Sequence, residues 1–145
     1  MSKSNAYETS VLALLLNATT IANVANNAAS APLTNLYLSL HTADPGEAGT
    51  QATNEATYTS YARVAVPRDA VSADRFIVSG DTATLGAIKA FPQASGGSEL
   101  LTHFGVGSSV SGAGVLYYSG TITPNISVTS GVTPRLTTGT QITES

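Results

Sequence analysis

The chain has 145 residues, six Lys and Arg against nine Asp and Glu, two His and a formal charge of −3. That length fits a single domain, 1–145, able to bury a core of its own. Six scattered basic residues offer no footprint for nucleic acid. The lack of cysteine excludes disulfides and thiolate metal sites.

The apolar run Val11-Leu12-Ala13-Leu14-Leu15-Leu16 falls well short of the ~20 residues of a membrane span, so no membrane partner is expected. Tyr7, Val11, Leu14 and Leu15 stand at i, i+4, i+7 and i+8, which predicts one N-terminal amphipathic helix over 5–17 with this set as its apolar face. Asn5 and Glu8 have the spacing of a capping box. Thr19, Thr20 and the Asn-rich stretch from Asn23 to Asn27 are poor helix formers and end it.

From Pro32 onward the pattern is one of short strands between turn residues. Leu36, Leu38 and Leu40 alternate with Tyr37 and Ser39, a half-buried strand. A long polar loop follows over 42–57, with Asp44-Pro45-Gly46 as its turn. Tyr61–Val66, Phe76–Val78, Thr84–Phe91, Leu101–Val106, Val115–Tyr118, Ile126–Val128 and Leu136–Ile142 complete about eight strands, punctuated by Gly80-Asp81, Gly96-Gly97, Gly112, Gly120 and Gly131. With no second helix of crossover length, the fold class is mainly β: an antiparallel β-sandwich or jelly-roll over 32–145, ending in a C-terminal arm.

Charged residues make up 10% of the chain, against about a quarter in ordinary soluble domains. None occurs between Leu100 and Pro134 or from Thr9 to Ala43. A surface of Ser, Thr, Asn, Gly and Ala is expected to face other protein, so the chain reads as an assembly subunit.

The run from Leu36 to Thr50, with Glu55, Tyr61-Ala62-Arg63-Val64-Ala65-Val66, Ala90-Phe91-Pro92-Gln93-Ala94, His103-Phe104-Gly105-Val106, Leu116-Tyr117-Tyr118-Ser119-Gly120 and Ser130-Gly131-Val132-Thr133-Pro134, resembles a family of small tailed-bacteriophage virion proteins. Its members are head-decoration or cement-like and are often labelled tail-fibre proteins. The similarity covers most of the chain in order; the stretch from Asn23 to Ala31 departs from the family's tighter helix-to-strand connection.

The resemblance implies a structural protein of the virion. The preferred reading is a cement protein, made in the bacterial host cytoplasm, that binds the outer capsid surface and joins major capsid subunits. The alternative is a fibre-associated or adaptor protein of the tail or baseplate, which could also take part in host attachment. No internal repeat or fibrous heptad is present from which a long shaft could be built, which suits a clip on a repeating surface better than a receptor-binding device. A third reading, a carbohydrate-binding module, has little support from six Tyr, three Phe and no Trp.

Chemical constellations are sparse. His41, Asp44 and His103 offer two imidazoles and a carboxylate, and Asp44, Glu47 and Glu55 are loop acids, but neither set has the spacing of a metal site. No nucleophile elbow or dinucleotide fingerprint occurs. The expectation is therefore no enzyme, no cofactor and no metal. Candidate interface residues are Tyr7, Val11, Leu14 and Leu15 on the helix, Asp44, Glu47 and Glu55 on the loop, and Arg63, Arg68, Arg75 and Arg135. Arginine's planar fork suits pairing across a subunit boundary, with local ion pairs to acids such as Asp69 and Asp74 as the alternative. Self-association as a trimer is preferred, and a dimer is the other option.

Overall fold

The computed structural model describes residues 3–28 and 31–144. Residues 1–2, residues 29–30 within the stretch from Asn23 to Ala31, and residue 145 lie outside the described residues. Helix α1 (Asn5–Asn17) is followed by β1 (Asn35–His41), β2 (Val64–Pro67), β3 (Phe76–Ser79), β4 (Thr82–Leu85), β5 (Lys89–Ala90), β6 (Glu99–Gly107), β7 (Leu116–Val128), β8 (Arg135–Leu136) and β9 (Gln141–Thr143). The fold is mainly β, with one N-terminal helix and antiparallel pairing of β1 with β6, β3 with β4, β4 with β9 and β6 with β7.

By packing, the chain divides into two units. One comprises Met1–Asn35, Val66–Ile88 and Leu136–Ser145; the other comprises Leu36–Ala65 and Lys89–Arg135.

In the first unit, the order is β3-β4-β9. Phe76 faces Leu85, Val78 faces Ala83, and Ala83 faces Ile142 across the ladders. Directly opposed residues share a face, so these five side chains form one apolar surface. Helix α1 contacts β3 and β4 and turns Glu8, Leu12, Leu16 and Asn17 inward. The face that meets the sheet is thus not the set expected from the periodicity, which is left at the surface as a candidate interface: Tyr7 is 55% exposed, and Val11, Leu14 and Leu15 are only half-buried. The helix is apolar around most of its circumference, and the i, i+4, i+8 stripe that meets the sheet begins with a glutamate, which hid it from the periodicity. The N-cap is Ser4, whose hydroxyl accepts from the Tyr7 amide, one residue before the expected Asn5 cap.

The C-terminal turn of α1 contains no basic residue, and its carbonyls are satisfied from a distance. Arg68 donates from Nη2 to Leu14 O at 2.7 Å, from Nε to Leu15 O at 2.6 Å, and from Nη1 to Asn27 Oδ1 at 2.7 Å and Leu33 O at 3.2 Å. A cation there complements the negative end of the helix dipole and occupies carbonyls that the helix leaves open. Asn17 then donates to Asp69 O and Phe76 O, both at 2.9 Å. The expected C-terminal arm carries β9, and its Glu144 amide donates to Asp81 O at 2.9 Å.

The second unit is framed by the four-stranded sheet β2-β1-β6-β7, with β5-β8 as a short separate pair. The chain passes from this unit to the first within β2. Four expected strands are redrawn, and the one expected over Tyr61–Val66 begins only at Val64. Thr84–Phe91 is broken into β4 and β5, and Leu136–Ile142 into β8 and β9 around a turn in which Thr140 N donates to Thr137 O. Val115–Tyr118 and Ile126–Val128 merge into β7: Leu101 faces Ile126 and His103 faces Thr121, so one β6 residue stands opposite four of β7. That irregularity absorbs the intervening polar residues without ending the strand.

Candidate functional site

The end of β1 is buried on both faces: Leu38, Ser39, Leu40 and His41 are all fully buried. The cover is the 42–57 loop, folded back over the strand and fixed at three points.

The first is His41. Its Nδ1 lies 2.8 Å from Thr53 O and its Nε2 lies 2.8 Å from Ser39 Oγ. A carbonyl can only accept, so the proton sits on Nδ1 and Nε2 accepts from the serine hydroxyl. Burial pushes the imidazole below its ordinary range, outweighing the field of Glu55, while Arg63 and His103 push the same way as burial. Gly105, opposite Ser39 in the ladder, has no side chain because a Cβ would lie 2.6 Å from Ser39 Oγ and 2.8 Å from His41 Nε2.

The second point is Gln51, fully buried. Its amide N donates to Ala113 O at 2.8 Å, and its side-chain Oε1 accepts from Ser109 N at 2.9 Å. The side chain fills the space beside Gly107, where a Cβ would collide with it.

The third is the Glu55–Arg63 pair. Arg63 is 8% exposed. It donates from Nε to Glu55 Oε1 at 2.6 Å, from Nη2 to Glu55 Oε2 at 2.7 Å and to Gly112 O at 2.6 Å, and from Nη1 to Ser109 O at 2.9 Å. The Tyr61 hydroxyl donates to Glu55 Oε1 at 2.9 Å and accepts from Leu40 N at 3.0 Å. The bidentate carboxylate raises the guanidinium further. Burial pushes the Tyr61 phenol far up, so it stays a neutral donor to Glu55. The Tyr61 ring stacks on Phe91 at 6.3 Å and meets Tyr58 edge-on at 5.3 Å.

With its base fixed in this way, the exposed part of the loop stands beside β7. Asp44 Oδ1 accepts from Gly46 N at 2.9 Å, and Asn54 Nδ2 donates to Asp44 O at 3.1 Å. Asp44, Gly46, Glu47 and Gly49 form one wall of a groove of about 410 Å³, and Leu116–Ser119 of β7 form the other. Asp44, Glu47 and Tyr117 are exposed there.

The candidate residues are thus distributed over several places. Asp44 and Glu47 share the groove, while Glu55 and Arg63 form the buried pair beneath the loop. Arg68 clamps the helix in the first unit, and Arg75 donates to Ser72 O at 2.7 Å. Arg135 is exposed on β8. His41 and His103 face each other across β1 and β6, yet among the described residues no group of three His, Cys, Asp or Glu gathers as a metal would require. Gln51 was not foreseen, and its only trace in the sequence is the glycines at 107 and 114 that make room for it. The part played by β7 was hidden because its sequence reads as two strands.

The family described as podophage GP4 fiber I protein gp80 matches residues 5–143. The chain belongs to this family. It is a structural protein of the tailed-phage virion. The curated proteins compared with it give no match. Among the described residues, no helix is long and apolar enough to cross a membrane.

Proposed function

We propose that the chain is a fibre-associated component of the phage virion. The observation that carries this reading is the match of residues 5–143 to a family described as a fiber protein. Among the described residues the helix and the longest strand have 13 residues each, and neither forms a repeat from which a shaft is built. The role that fits is a module mounted on a fibre or joining it to the particle. The rigid loop base and the groove beside β7 supply a preformed surface for such a joint.

A second reading is supported by the low charge and long uncharged stretches of the sequence: a cement protein seated on major capsid subunits, stabilising the shell by burying area between them. Quantitative mass spectrometry of purified virions separates the two. Fibre components occur in low multiples set by the tail symmetry, whereas cement occurs in hundreds of copies, in proportion to the major capsid protein. A copy number matching the capsid lattice, with early genome loss in particles lacking the protein, would refute the fibre reading.

A further inference from the structure

Strand β7 closes the four-stranded sheet, so among the described residues one side of its backbone has no strand beside it. Four consecutive residues, Leu116–Ser119, line the groove. Side chains along a strand alternate between faces, so a groove lined by four in a row follows the strand's edge rather than one of its faces. An open edge is a template for another extended chain, and natural proteins blunt such edges with charge, especially lysine, or with proline. Leu116–Thr121 carries neither.

The opposite wall carries negative charge. Glu47 makes no side-chain hydrogen bond or ion pair among the described residues, and the Asp44 side chain accepts only from the Gly46 amide. Five of the chain's six cations are engaged elsewhere, Arg63 with Glu55, Arg68 at the helix end, Lys3 with Glu144, Lys89 on Ala65 O and Arg75 on Ser72 O, and the sixth, Arg135, is exposed on β8 and does not line the groove. A second copy presenting β7 would bring hydroxyl and apolar side chains but no positive charge to the acids.

We propose that the β7 edge receives an extended, basic segment of a different virion protein as a fifth strand. Main-chain hydrogen bonds to β7 hold the segment, and a lysine or arginine side chain directed to Asp44 and Glu47 sets its register and direction. This site stands whether the protein sits on a fibre or on the capsid, so its failure would leave that assignment untouched.

The test is a titration of the isotope-labelled protein, followed by backbone amide NMR, with three end-capped octapeptides. One alternates threonine and lysine, one alternates threonine and glutamate, and one repeats the first with alternate amides N-methylated. The lysine peptide is expected to shift the amides of Leu116–Thr121 and Asp44–Gly49. The other two should bind at least roughly tenfold more weakly, and Asp44→Asn combined with Glu47→Gln should weaken the lysine peptide roughly tenfold. Both positions are exposed, and asparagine preserves the turn to Gly46. Equal binding of the acidic or N-methylated peptide would overturn the proposal, as would shifts located elsewhere or no binding at millimolar peptide. Concentration-dependent shifts of the same β7 amides without peptide would assign the edge to a second copy instead.

Discussion

Glu55→Ala tests whether the loop base is held by the pair beneath it. The substitution leaves the Arg63 guanidinium, whose side chain is buried in the native structure, with only the carbonyls of Ser109 and Gly112, and it removes the acceptor of the Tyr61 hydroxyl. Breaking a buried pair from one side costs about 3–5 kcal/mol, because the remaining charge stays desolvated. The Glu55 side chain keeps 17% of its exposure, so water reaches the site and the lower end, about 3 kcal/mol, is expected. That corresponds to a fall of roughly 10 °C in the unfolding midpoint for a chain of this size. Adding Arg63→Met removes the uncompensated cation and should restore about 2 kcal/mol. Urea unfolding followed by circular dichroism and tyrosine fluorescence provides the values. A loss below about 1 kcal/mol in Glu55→Ala, or a double variant as unstable as the sum of the single ones, would refute the reasoning.

Arg68→Ala should destabilise the protein by about 2 kcal/mol, with part of the helical circular dichroism lost, since charged donors to the helix-end carbonyls disappear. Unchanged helicity and stability would count against the clamp. Leu12→Ala should cost about 2–4 kcal/mol, while Tyr7→Ala changes stability by less than about 0.5 kcal/mol; the reverse order would restore the stripe expected from periodicity. His41 binds its proton less readily in the folded protein than in the unfolded chain. Its contribution to stability is therefore complete above the unfolded value of about 6.5 and is lost as the pH falls below that toward the folded value. The urea midpoint should drop between about pH 7.5 and about pH 5, and the His41 ring protons should titrate below the ordinary histidine range in NMR. An ordinary His41 titration would contradict the buried, neutral ring.

The alternation Leu36, Leu38, Leu40 was enough to place β1, because burial on one face of a strand leaves a period of two in the sequence. It could not show that Ser39 and His41 are buried as well, since their cover arrives from a loop whose own composition is polar. The break between β4 and β5 was invisible for a different reason. Gly86 N donates to Arg75 O at 2.8 Å, and the chain can approach that closely only without a side chain at Gly86, whose Cβ would collide with Ala73 O; in the sequence the same glycine sits inside an otherwise apolar run. Asp44 and Glu47 were legible as loop acids, but their placement beside β7 depends on a fold-back fixed by Gln51 and Glu55, and nothing in the local sequence encodes such a contact. Arg68 presents the same difficulty, for its partners on α1 lie 53 and 54 positions away.

Both ends of the described chain meet at one turn. Thr9 Oγ1 donates to Gly80 O at 2.5 Å, Glu144 N donates to Asp81 O at 2.9 Å, and Lys3 pairs with Glu144. Lys3 and Glu144 are therefore neighbours in space, and the order in which the chain visits these contacts is one choice among several that they allow. A short linker joining the two ends, with a new opening at exposed Gly112, would yield a circular permutant that begins and ends in the other unit while leaving the helix, its arginine clamp and β9 in place.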